Sequence, residues 1–397
     1  MKILYLHQYF NLPNMVGSTR SLELARGLAA AGYEVEVITS RRELGYEYPN
    51  DFDGISIDWL DVPYKNGFGY YKRLMAFLKF IFLTTARVLS KDYDLIYVSS
   101  TPLTVIVPAL IAKALKNKKF ILEVRDLWPE IPIAMGYIKS NLTKYLTKRL
   151  AYLGYTYSEA IIALSNDMAE QIIHRYNLDA TKVFVLPNFS YSNYFQYNNS
   201  DLLTLRKGFL QNIEQKIIIY PGTFGHVNGV DYILSLAEEL RQTKYFFLAI
   251  GSGKEMKKIH DLAINKKLNN FVVFESVPKD DIFKYIAASD YLISTVINVP
   301  ELNWNSANKY FDGLCAGKPI IINHEGWQAQ ELCKWNSGIV LERDVKNAAE
   351  KLKSITDEHY YLMKSNAIVL SKKYEKDQIQ NRLIKILQND KEIPNMY

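Results

Sequence analysis

Strand-like and helix-like runs alternate along almost the whole chain, and this alternation restricts the fold more than any other feature. Short runs of aliphatic and aromatic residues are separated by longer amphipathic stretches. Such a pattern is typical of parallel α/β layers, in which each helix returns the chain to the start of the next strand. The first series of predicted strands covers residues 2–9, 34–39, 55–60, 95–99, 119–124, 160–164 and 182–186. The second covers residues 216–222, 245–250, 271–274, 291–294, 319–323 and 338–341.

The two series predict two domains, because 397 residues are too many for a single core. Pro187 and Asn188 end the first series, and a polar stretch from Phe189 to about Gln215 is typical of a linker with one local helix. We predict domains over residues 1–188 and 189–374. An amphipathic helix within residues 375–397 is expected to pack back on the first domain. Both domains are predicted to be Rossmann-like, and such sheets bind ligands beyond the carboxyl ends of their strands, in a cleft that two facing sheets would form.

Composition favours a soluble, metal-free protein. Apolar residues make up 48% and charged residues 23% of the chain, and the N-terminal MKILYLHQYF lacks the pattern of a signal peptide, which predicts a cytoplasmic location. The two cysteines have no CxxC spacing and the six histidines no HxH or HExxH spacing, so neither a disulfide nor zinc is expected. The acidic pair Asp51 and Asp53 is predicted to lie in a loop before its strand, so no magnesium site and no cofactor are predicted. A net charge of +6 without a known motif argues against nucleic acid.

One long run of the first domain carries basic and aromatic residues but no acidic ones. It lies between Asp61 and Asp92, and its apolar stretch LMAFLKFIFLTTARVL is shorter than the roughly 20 residues needed to span a bilayer. We interpret it as an amphipathic helix that lies on an anionic membrane surface. A second acid-free run covers residues 131–158. The alternative is a solvated charged face over an ordinary core helix. The residues assigned to membrane or acceptor contact are Lys72, Arg73, Lys79, Phe80 and Lys144; Lys65 is also part of the first run.

Three glycine-bearing turns follow predicted strands. The first contains only Gly17, so it is not a dinucleotide-binding GxGxxG loop, and no GxxxxGK[ST] loop is present. The second reads GTFGHVNG, and the third, GSGK, follows the next strand. Exposed backbone amides in such turns can stabilise charge on a leaving diphosphate. For Gly17 the alternative is a simple turn glycine, but three such turns at strand ends are harder to ascribe to chance than any single one. The candidate residues are Gly17, Gly222, Thr223, Gly225, Asn228 and Lys254.

The stretch VPELNWNSANKYFDGLCAGKPIIINHEG, residues 299–326, places an Asn-rich loop directly before a short helix. The unpaired amides of a helix N-terminus favour a phosphate there, and Lys309 would add a full positive charge. Asp312, three residues later, is expected on the same helical face, where its carboxylate can accept hydrogen bonds from ribose hydroxyls. The alternative is a solvated loop with an ordinary surface pair. The candidate donor-site residues here are Glu301, Asn305, Ser306, Asn308, Lys309 and Asp312.

Arg125 and Asp126 follow the predicted strand 119–124, in the sequence EVRDLWPE. A charged pair at the carboxyl end of a strand can be functional, and Asp126 is placed to take a hydroxyl proton or to position an acceptor hydroxyl. The alternative is a pair that fixes the Trp-Pro turn. Arg125 and Asp126 are therefore the candidate catalytic residues.

Taken together, the motifs resemble those of a retaining family 4 glycosyltransferase of the GT-B fold, of the bacterial surface-polysaccharide N-acetyl-L-fucosamine transferase type. The resemblance covers most of both domains, and EVRDLWPE with NSANKYFDGLCAGKP is its most specific part. It implies a nucleotide-diphosphate donor held mainly by the second domain, an acceptor held by the first, and no protein nucleophile. Asp312 matches the second acidic residue of the family's spaced pair, which contacts the donor ribose.

The chain departs from the family pattern in two places. Trp304 occupies the position of the first acidic residue, and Glu301 is the candidate to replace it. His226 and Asn228 stand where many relatives carry an Arg and a Lys that hold the phosphates, so Lys309 and the loop 305–308 are the candidates for that role.

Three functions are compatible with these features. The first is transfer of an N-acetylated deoxy-amino sugar from a UDP donor to a polyprenyl-diphosphate-linked saccharide, in capsule or O-antigen synthesis at the inner face of the bacterial plasma membrane. The second is a UDP-sugar 2-epimerase-like isomerase of the same fold. The third is a catalytically inactive, membrane-associated binding protein.

Overall fold

The computed structural model describes residues 1–15, 17–41, 47–64, 68–191, 195, 197–210 and 212–390. The chain divides into two compact units. The first contains Met1–Leu12, Thr19–Pro187 and the segment that starts at Asp377, and the second contains Pro13–Ser18 and Asn188–Lys376. Lys65, which belongs to the basic run considered above, lies outside the described residues.

The first unit is built on a sheet of eight strands with the order β3-β4-β2-β1-β5-β6-β7-β8. All neighbouring pairs are parallel except β3 with β4, which is antiparallel. The central strands are buried on both faces, which explains their continuous apolar sequences. The strands are β1 (Lys2–Leu6), β2 (Glu34–Ser40), β3 (Asp51–Phe52), β4 (Ile55–Leu60), β5 (Leu95–Ser99), β6 (Lys119–Val124), β7 (Ala160–Ala163) and β8 (Val183–Val185).

The second unit is built on a fully parallel sheet of six strands with the order β11-β10-β9-β12-β13-β14. The order reverses direction next to β9, and the carboxyl ends of neighbouring strands on either side of such a switch point commonly bind ligands. The strands are β9 (Lys216–Pro221), β10 (Tyr245–Ile250), β11 (Phe271–Phe274), β12 (Tyr291–Ser294), β13 (Ile320–Ile322) and β14 (Gly338–Val340).

Helices connect the strands in both units. They are α1 (Arg20–Ala30), α2 (Tyr70–Ser90), α3 (Ile106–Lys116), α4 (Glu130–Ala134), α5 (Asn141–Tyr157), α6 (Asn166–Tyr176), α7 (Asn199–Lys207), α8 (Val230–Glu239), α9 (Met256–Asn265), α10 (Lys279–Ala288), α11 (Asn308–Cys315), α12 (Trp327–Trp335), α13 (Val345–Lys353), α14 (Asp357–Ser371) and α15 (Lys376–Leu387).

Every predicted strand is present, and the α/β fold class is confirmed. The strands β4, β5, β6, β10, β11 and β12 have the predicted bounds, whereas the others differ by one to a few residues at an end. The prediction for the first strand was wrong at its end, because β1 stops at Leu6 and His7–Phe10 leave the sheet. Asp51 and Phe52 were predicted to lie in a loop, but they form β3 by pairing with Ser56 and Ile55.

The helix α15 packs within the first unit, against α1. Its apolar residues Ile379, Leu383 and Ile386 are buried, and Gln380 Nε2 donates to the Glu23 carbonyl at 2.6 Å. Gly27 of α1 makes room for it, because a Cβ at Gly27 would lie 2.7 Å from the Gln380 side chain.

Candidate functional site

Two of the glycine turns adjoin each other at the carboxyl edge of the second sheet, after β9 and β10. Gly222 N–H donates to the Ile250 carbonyl at 2.9 Å, and Phe224 N–H donates to the Ser252 carbonyl at 2.9 Å. Gly251 has no room for a side chain, because a Cβ there would lie 1.7 Å from the Gly222 carbonyl oxygen. The expectation that Gly222 offers a free amide is therefore wrong, since that amide extends the pairing of β9 with β10. The amides of Thr223 and Gly225 have no hydrogen-bond partner among the described residues.

Lys309, in the first turn of α11, lies against this glycine turn. A Cβ at Gly222 would come within 2.9 Å of Lys309 Nζ, and the ammonium lies 4.3 Å from the centroid of the Tyr220 ring. No salt bridge to Lys309 is found in the described part of the chain. Desolvation lowers the pKa of Lys309 to about 7. The structure thus brings together two predicted site residues, Gly222 and Lys309, around a cation without a carboxylate partner.

The loop before α11 contains buried polar atoms that have no hydrogen-bond partner. They are Asn303 Oδ1, Asn305 Oδ1 and Ser306 Oγ. The backbone of the same loop is fixed, because Asn188 Nδ2 donates to the Ser306 carbonyl at 2.8 Å and Trp327 Nε1 donates to the Asn305 carbonyl at 3.1 Å. Buried polar atoms without partners are uncommon in folded proteins. Their concentration beside Lys309 fits a polar ligand.

Asp312 is buried one helical turn beyond Lys309 and has a different neighbour. Lys279 Nζ, at the start of α10, donates to Asp312 Oδ2 at 2.7 Å. The Lys279 ammonium also lies 4.6 Å from the centroid of the Phe283 ring. Desolvation raises the pKa of Asp312, and the charge of Lys279 opposes that effect. One carboxylate oxygen of Asp312 therefore belongs to an ion pair, and the other has no described partner.

The remaining predicted donor-site residues lie on the same unit without strong contacts. Thr223 and Lys254 are exposed, while Glu301, Asn308 and Gly225 are half-buried. Asn228 contributes its carbonyl, which accepts a hydrogen bond from Thr295 Oγ1 at 2.6 Å. Gly17 is exposed and has φ of 133°, a conformation that favours glycine.

Two further basic residues, His324 and Arg343, follow β13 and β14 at the same edge. Arg343 donates to the carbonyl of Val296, and His324 Nδ1 lies 2.7 Å from the Glu325 carbonyl. Burial lowers the pKa of His324, and the charges of Arg343 and Lys309 lower it further. These long-range effects indicate that the three basic groups share one electropositive region.

At the carboxyl edge of the first sheet, Arg125 and Asp126 directly follow β6. Arg125 NH1 lies 3.3 Å from His7 Nε2, and the Arg125 amide donates to Ser100 Oγ at 3.2 Å. Asp126 is half-buried. Desolvation raises its pKa, and the neighbouring Arg125 charge opposes that shift. A carboxyl group with a raised pKa at a strand end suits proton transfer.

Beneath this edge lies a buried ion pair that the sequence analysis did not identify. Arg20, in the first turn of α1, contacts Glu123 of β6 at 2.9 Å, and both side chains are almost completely buried. Ser99 Oγ donates to the other oxygen of Glu123 at 2.5 Å, and Arg20 donates to the carbonyls of Leu186 and Pro187. Although burial acts to raise it, the pKa of Glu123 is held below its usual value by Arg20, Arg125 and Ser99.

The basic run after Asp61 forms α2, and its outward face is apolar. The exposed residues are Tyr71, Leu74, Met75, Leu78 and Phe82. The prediction for Phe80 was wrong, because Phe80 belongs to the opposite stripe of the helix and is completely buried. Lys79 lies 3.5 Å from Asp61, and Arg87 is bonded to Asp58. Part of the basic charge is therefore already neutralised.

The second run forms α5, which packs on α3 as α2 does. Its exposed apolar and aromatic residues are Leu142, Tyr145, Leu146, Tyr152 and Tyr157. Lys144, Lys148 and Arg149 make no salt bridge within the described part of the chain. This helix thus combines exposed apolar side chains with uncompensated positive charge.

The described residues contain neither a membrane-spanning helix nor a cluster of metal ligands. No helix there has the length and hydropathy required to cross a membrane. No group of three or more His, Cys, Asp or Glu side chains there is arranged to hold a metal ion.

Comparison with solved structures identifies the fold. The chain superposes with a TM-score of 0.79 on sucrose-phosphate synthase from Thermosynechococcus elongatus, at 14% identity and with 98% of each chain covered. It superposes with a TM-score of 0.72 on Alr3699/HepE of Anabaena in complex with UDP and glucose, at 17% identity, covering 98% of this chain and 100% of that one. Two Rossmann-like parallel-sheet domains of this kind define the GT-B fold.

Two family models then identify the chain more closely. "Glycosyltransferase Family 4" matches residues 17–189, and "Glycosyl transferases group 1" matches residues 203–368. The chain belongs to the family 4 glycosyltransferases. It is 25% identical over 272 residues to WcaI of Escherichia coli (strain K12), whose name assigns it to colanic acid biosynthesis as a glycosyl transferase. The match takes in 64% of this chain and 66% of WcaI, slightly less than two thirds of that relative.

Several site residues were not predicted from the sequence. Tyr220 supports Lys309, and Lys279 pairs with Asp312 although 33 positions separate them. His324 and Arg343 join the same edge from two later strands. The position of Tyr220 at the end of a predicted strand, directly before a glycine turn, was a usable signal. No signal in the sequence pointed to Lys279, because its partner Asp312 is distant in sequence.

Proposed function

We propose that this protein transfers a sugar from a UDP donor to a lipid-linked saccharide, with retention of configuration and without a metal ion. The proposed sugar is N-acetyl-L-fucosamine or a related N-acetylated deoxy-amino sugar, and the proposed acceptor is a saccharide on polyprenyl diphosphate in capsule or O-antigen synthesis. Membership of family 4 and the polysaccharide role named for WcaI support this proposal. The UDP and glucose in the complex of the structural neighbour HepE support the choice of donor.

A single observation carries the donor site: Lys309 lies beside Gly222 without a carboxylate partner. A desolvated ammonium that lacks a counter-ion is unfavourable, whereas a diphosphate at this place would provide the missing negative charge. The unpartnered Asn305 Oδ1 and Ser306 Oγ are close in sequence to Lys309 and can bind the polar groups of the donor. Asp312 would then accept a hydrogen bond from the ribose through the oxygen that Lys279 leaves open.

The proposed reaction needs no protein nucleophile. The bond between the anomeric carbon and the diphosphate breaks, the acceptor oxygen bonds to that carbon from the same face, and the hydroxyl proton passes to the departing diphosphate. Lys309 and the amides of Thr223 and Gly225 would stabilise the charge on the leaving group. Asp126, whose pKa is raised, would orient the acceptor hydroxyl or assist removal of its proton, with Arg125 beside it.

The donor site is tested by calorimetric titration of the purified chain with UDP, GDP and dTDP, with and without EDTA. We expect UDP to bind in the presence of EDTA. Lys309→Met should weaken UDP binding by about 10- to 100-fold, since a hydrogen bond to a charged group contributes about 1.5–3 kcal/mol. Lys258→Met is the matched control, because Lys258 is an exposed lysine of the same unit that already pairs with Asp231.

Failure of UDP to bind the folded protein would refute the donor site. Binding that is lost in EDTA would refute metal independence. If UDP binds but no sugar is transferred to any lipid-linked acceptor, the alternative of an inactive binding protein is favoured. Trp304, which stands at the family's first acidic position, would then account for the lost activity.

The proposal places the protein at an anionic membrane surface through α2 and α5. We call the exposed residues Tyr71, Leu74, Met75, Leu78, Phe82, Leu142, Tyr145 and Leu146 the apolar helix face. Its apolar side chains stand beside cations that have no described acidic partner, such as Lys144 and Lys148, and this combination suits interfacial binding to anionic lipids. Lys72 is also exposed, and Arg73 lies half-buried behind it.

Co-sedimentation with vesicles tests this surface. We expect the chain to bind vesicles that contain phosphatidylglycerol, to bind pure phosphatidylcholine less, and to be released by salt. Replacing both Leu74 and Leu146 by Glu should abolish binding. Leu362→Glu on α14 is the control, because Leu362 is equally exposed but belongs to the second unit. Equal loss in the control, or no loss in the double variant, would exclude the apolar helix face as the contact.

A further inference from the structure

The two buried carboxylates on or in contact with α11 are committed to other partners. Asp312 on the same helix pairs with Lys279 of α10. Glu331 of α12 accepts hydrogen bonds from Tyr310 of α11 and from Tyr374, and it also pairs with Lys373. Burial is therefore not offset by a negative charge at Lys309, and desolvation is the cause of its lowered pKa.

The basic groups at the same edge supply no negative charge to Lys309 either. His324 after β13 and Arg343 after β14 are both basic. From β9, the neighbours are the Tyr220 ring and the Gly222 backbone, which carry no charge. Neither Glu301 nor Glu325 forms an ion pair with Lys309, whose lowered pKa is due to desolvation. In the unliganded protein, the face of the Tyr220 ring is thus the one described group that stabilises the charged form of Lys309.

We propose that Lys309 takes up one proton when a nucleoside diphosphate binds, so that donor binding and protonation are coupled. The inference rests on the proposed function, because the diphosphate is the anion that would stabilise the charged ammonium. Near neutral pH, part of the unliganded protein carries an uncharged Lys309. The proton then comes from the solvent, and the ligand enters with its own charge unchanged.

This coupling has a definite sign. The bound state holds the proton and the free state loses it as the pH rises, so the affinity must fall with rising pH. Well above pH 7, the loss is about tenfold for each pH unit, as for any single linked proton. Between pH 7.5 and pH 8.5 the charge of UDP itself stays constant, because the last ionisation of a phosphate lies near pH 6 and the uracil ring loses its N3 proton only at higher pH.

The experiment is calorimetric titration of the full chain with UDP between pH 7.5 and pH 8.5. At pH 8 it is repeated in HEPES and in Tris, whose ionisation enthalpies differ and neither of which supplies a phosphate that would compete for the site. For the native chain we expect the affinity to fall about 8-fold over this range, together with uptake of about one proton for each UDP bound at pH 8. Lys309→Arg should bind UDP with an affinity that does not change with pH, because a guanidinium stays charged throughout.

Lys318→Arg is the matched control. Like that of Lys309, the pKa of Lys318 is lowered by burial to about 7, but Lys318 donates to the carbonyls of Ala287 and Ser289. The pH dependence should persist in this variant. If it disappears here, or persists in Lys309→Arg, the assignment to Lys309 is overturned.

Two further outcomes separate this inference from the proposed function. UDP binding that is independent of pH and takes up no proton overturns the coupling and leaves the donor site intact. The absence of UDP binding at every pH, with the circular dichroism of the native fold retained, overturns both.

Discussion

The carboxyl edges of the two sheets differ in whether their buried charges have counter-ions within the protein. At the edge of the first sheet, Arg20 and Glu123 neutralise each other in the interior, with Ser99 completing the network. At the edge of the second sheet, Lys309 lies against Tyr220 and Gly222 without a carboxylate, beside loop atoms that lack hydrogen-bond partners. The first arrangement is electrically complete in the protein alone, whereas the second leaves a buried amine without a counter-ion, and we have proposed that an anion supplies it. Charge at a strand end therefore indicates a binding site only where the protein leaves it uncompensated.

The largest effect is expected from breaking the completed edge. Glu123→Gln keeps the size of the side chain but leaves the Arg20 guanidinium buried without its counter-ion. Removing one partner of a buried pair costs about 3–5 kcal/mol, so the first unit should unfold at a lower urea concentration. Hydrogen exchange of β1, β5 and β6 would localise the loss. Glu301→Gln, at a half-buried residue of the second unit, is the control and should change stability by less than about 0.5 kcal/mol.

The same network also predicts an acid sensitivity of the first unit. The pKa of Glu123 in the folded protein lies below that in the unfolded chain. Its stabilising contribution is therefore fully present above the unfolded pKa and is lost as the pH falls through the folded pKa. Hydrogen exchange at decreasing pH should show this loss in the native chain but not in Glu123→Gln. An equal response of both chains would mean that Glu123 does not control it.

The second comparison sets two lysines of the second unit against each other. Lys318→Met leaves the carbonyls of Ala287 and Ser289 without their donor, which should cost about 1–3 kcal/mol in the free energy of unfolding. Lys309→Met removes a desolvated cation that donates no described hydrogen bond, so stability should stay unchanged or increase. Urea denaturation of both variants without ligand tests the contrast. A loss of stability in Lys309→Met as large as in Lys318→Met would show that Lys309 is structural.

The smallest effect concerns the open oxygen of Asp312. If it accepts a ribose hydroxyl, 2′-deoxy-UDP should bind more weakly than UDP by about 0.5–1.5 kcal/mol, the usual contribution of one hydrogen bond. In Asp312→Ala the difference between the two ligands should vanish, although both will bind more weakly. Calorimetry on both proteins completes the cycle. A difference that persists in Asp312→Ala would assign ribose recognition to another group.

The fold was predictable because its signals are local. Fully buried parallel strands produce continuous apolar runs. Of the six strands with the predicted bounds, β5, β10 and β12 are buried at every residue and β6 at all but its first. The errors arose where local propensity and tertiary structure disagree. The predicted first strand ran to Tyr9, whose aromatic side chain favours a strand, yet the chain leaves the sheet after Leu6. The two residues of β3 are too few to produce a pattern, and only their pairing with β4 makes them a strand.

The site was predictable only in part. Lys309 and Gly222 were recognised because each lies at a strand or helix end that parallel topology brings to one edge. The pairing of Lys279 with Asp312 and of Arg20 with Glu123 could not be predicted, because these partners are separated by 33 and 103 positions. The burial of Phe80 was missed since the aromatic residues of the run were treated as one group, although positions four residues apart in α2 face the core.

The position of α15 has a consequence for the order of synthesis. This helix covers Gly27 and bonds to the Glu23 carbonyl, yet it is encoded after the whole second unit. When the first 187 residues have left the ribosome, α15 has not yet been synthesised. The side of α1 that α15 covers is therefore still exposed to solvent. The packing of the first unit is therefore completed only after the second unit has been translated. If translation stops before α15, the surface that this helix covers stays exposed and would need a chaperone.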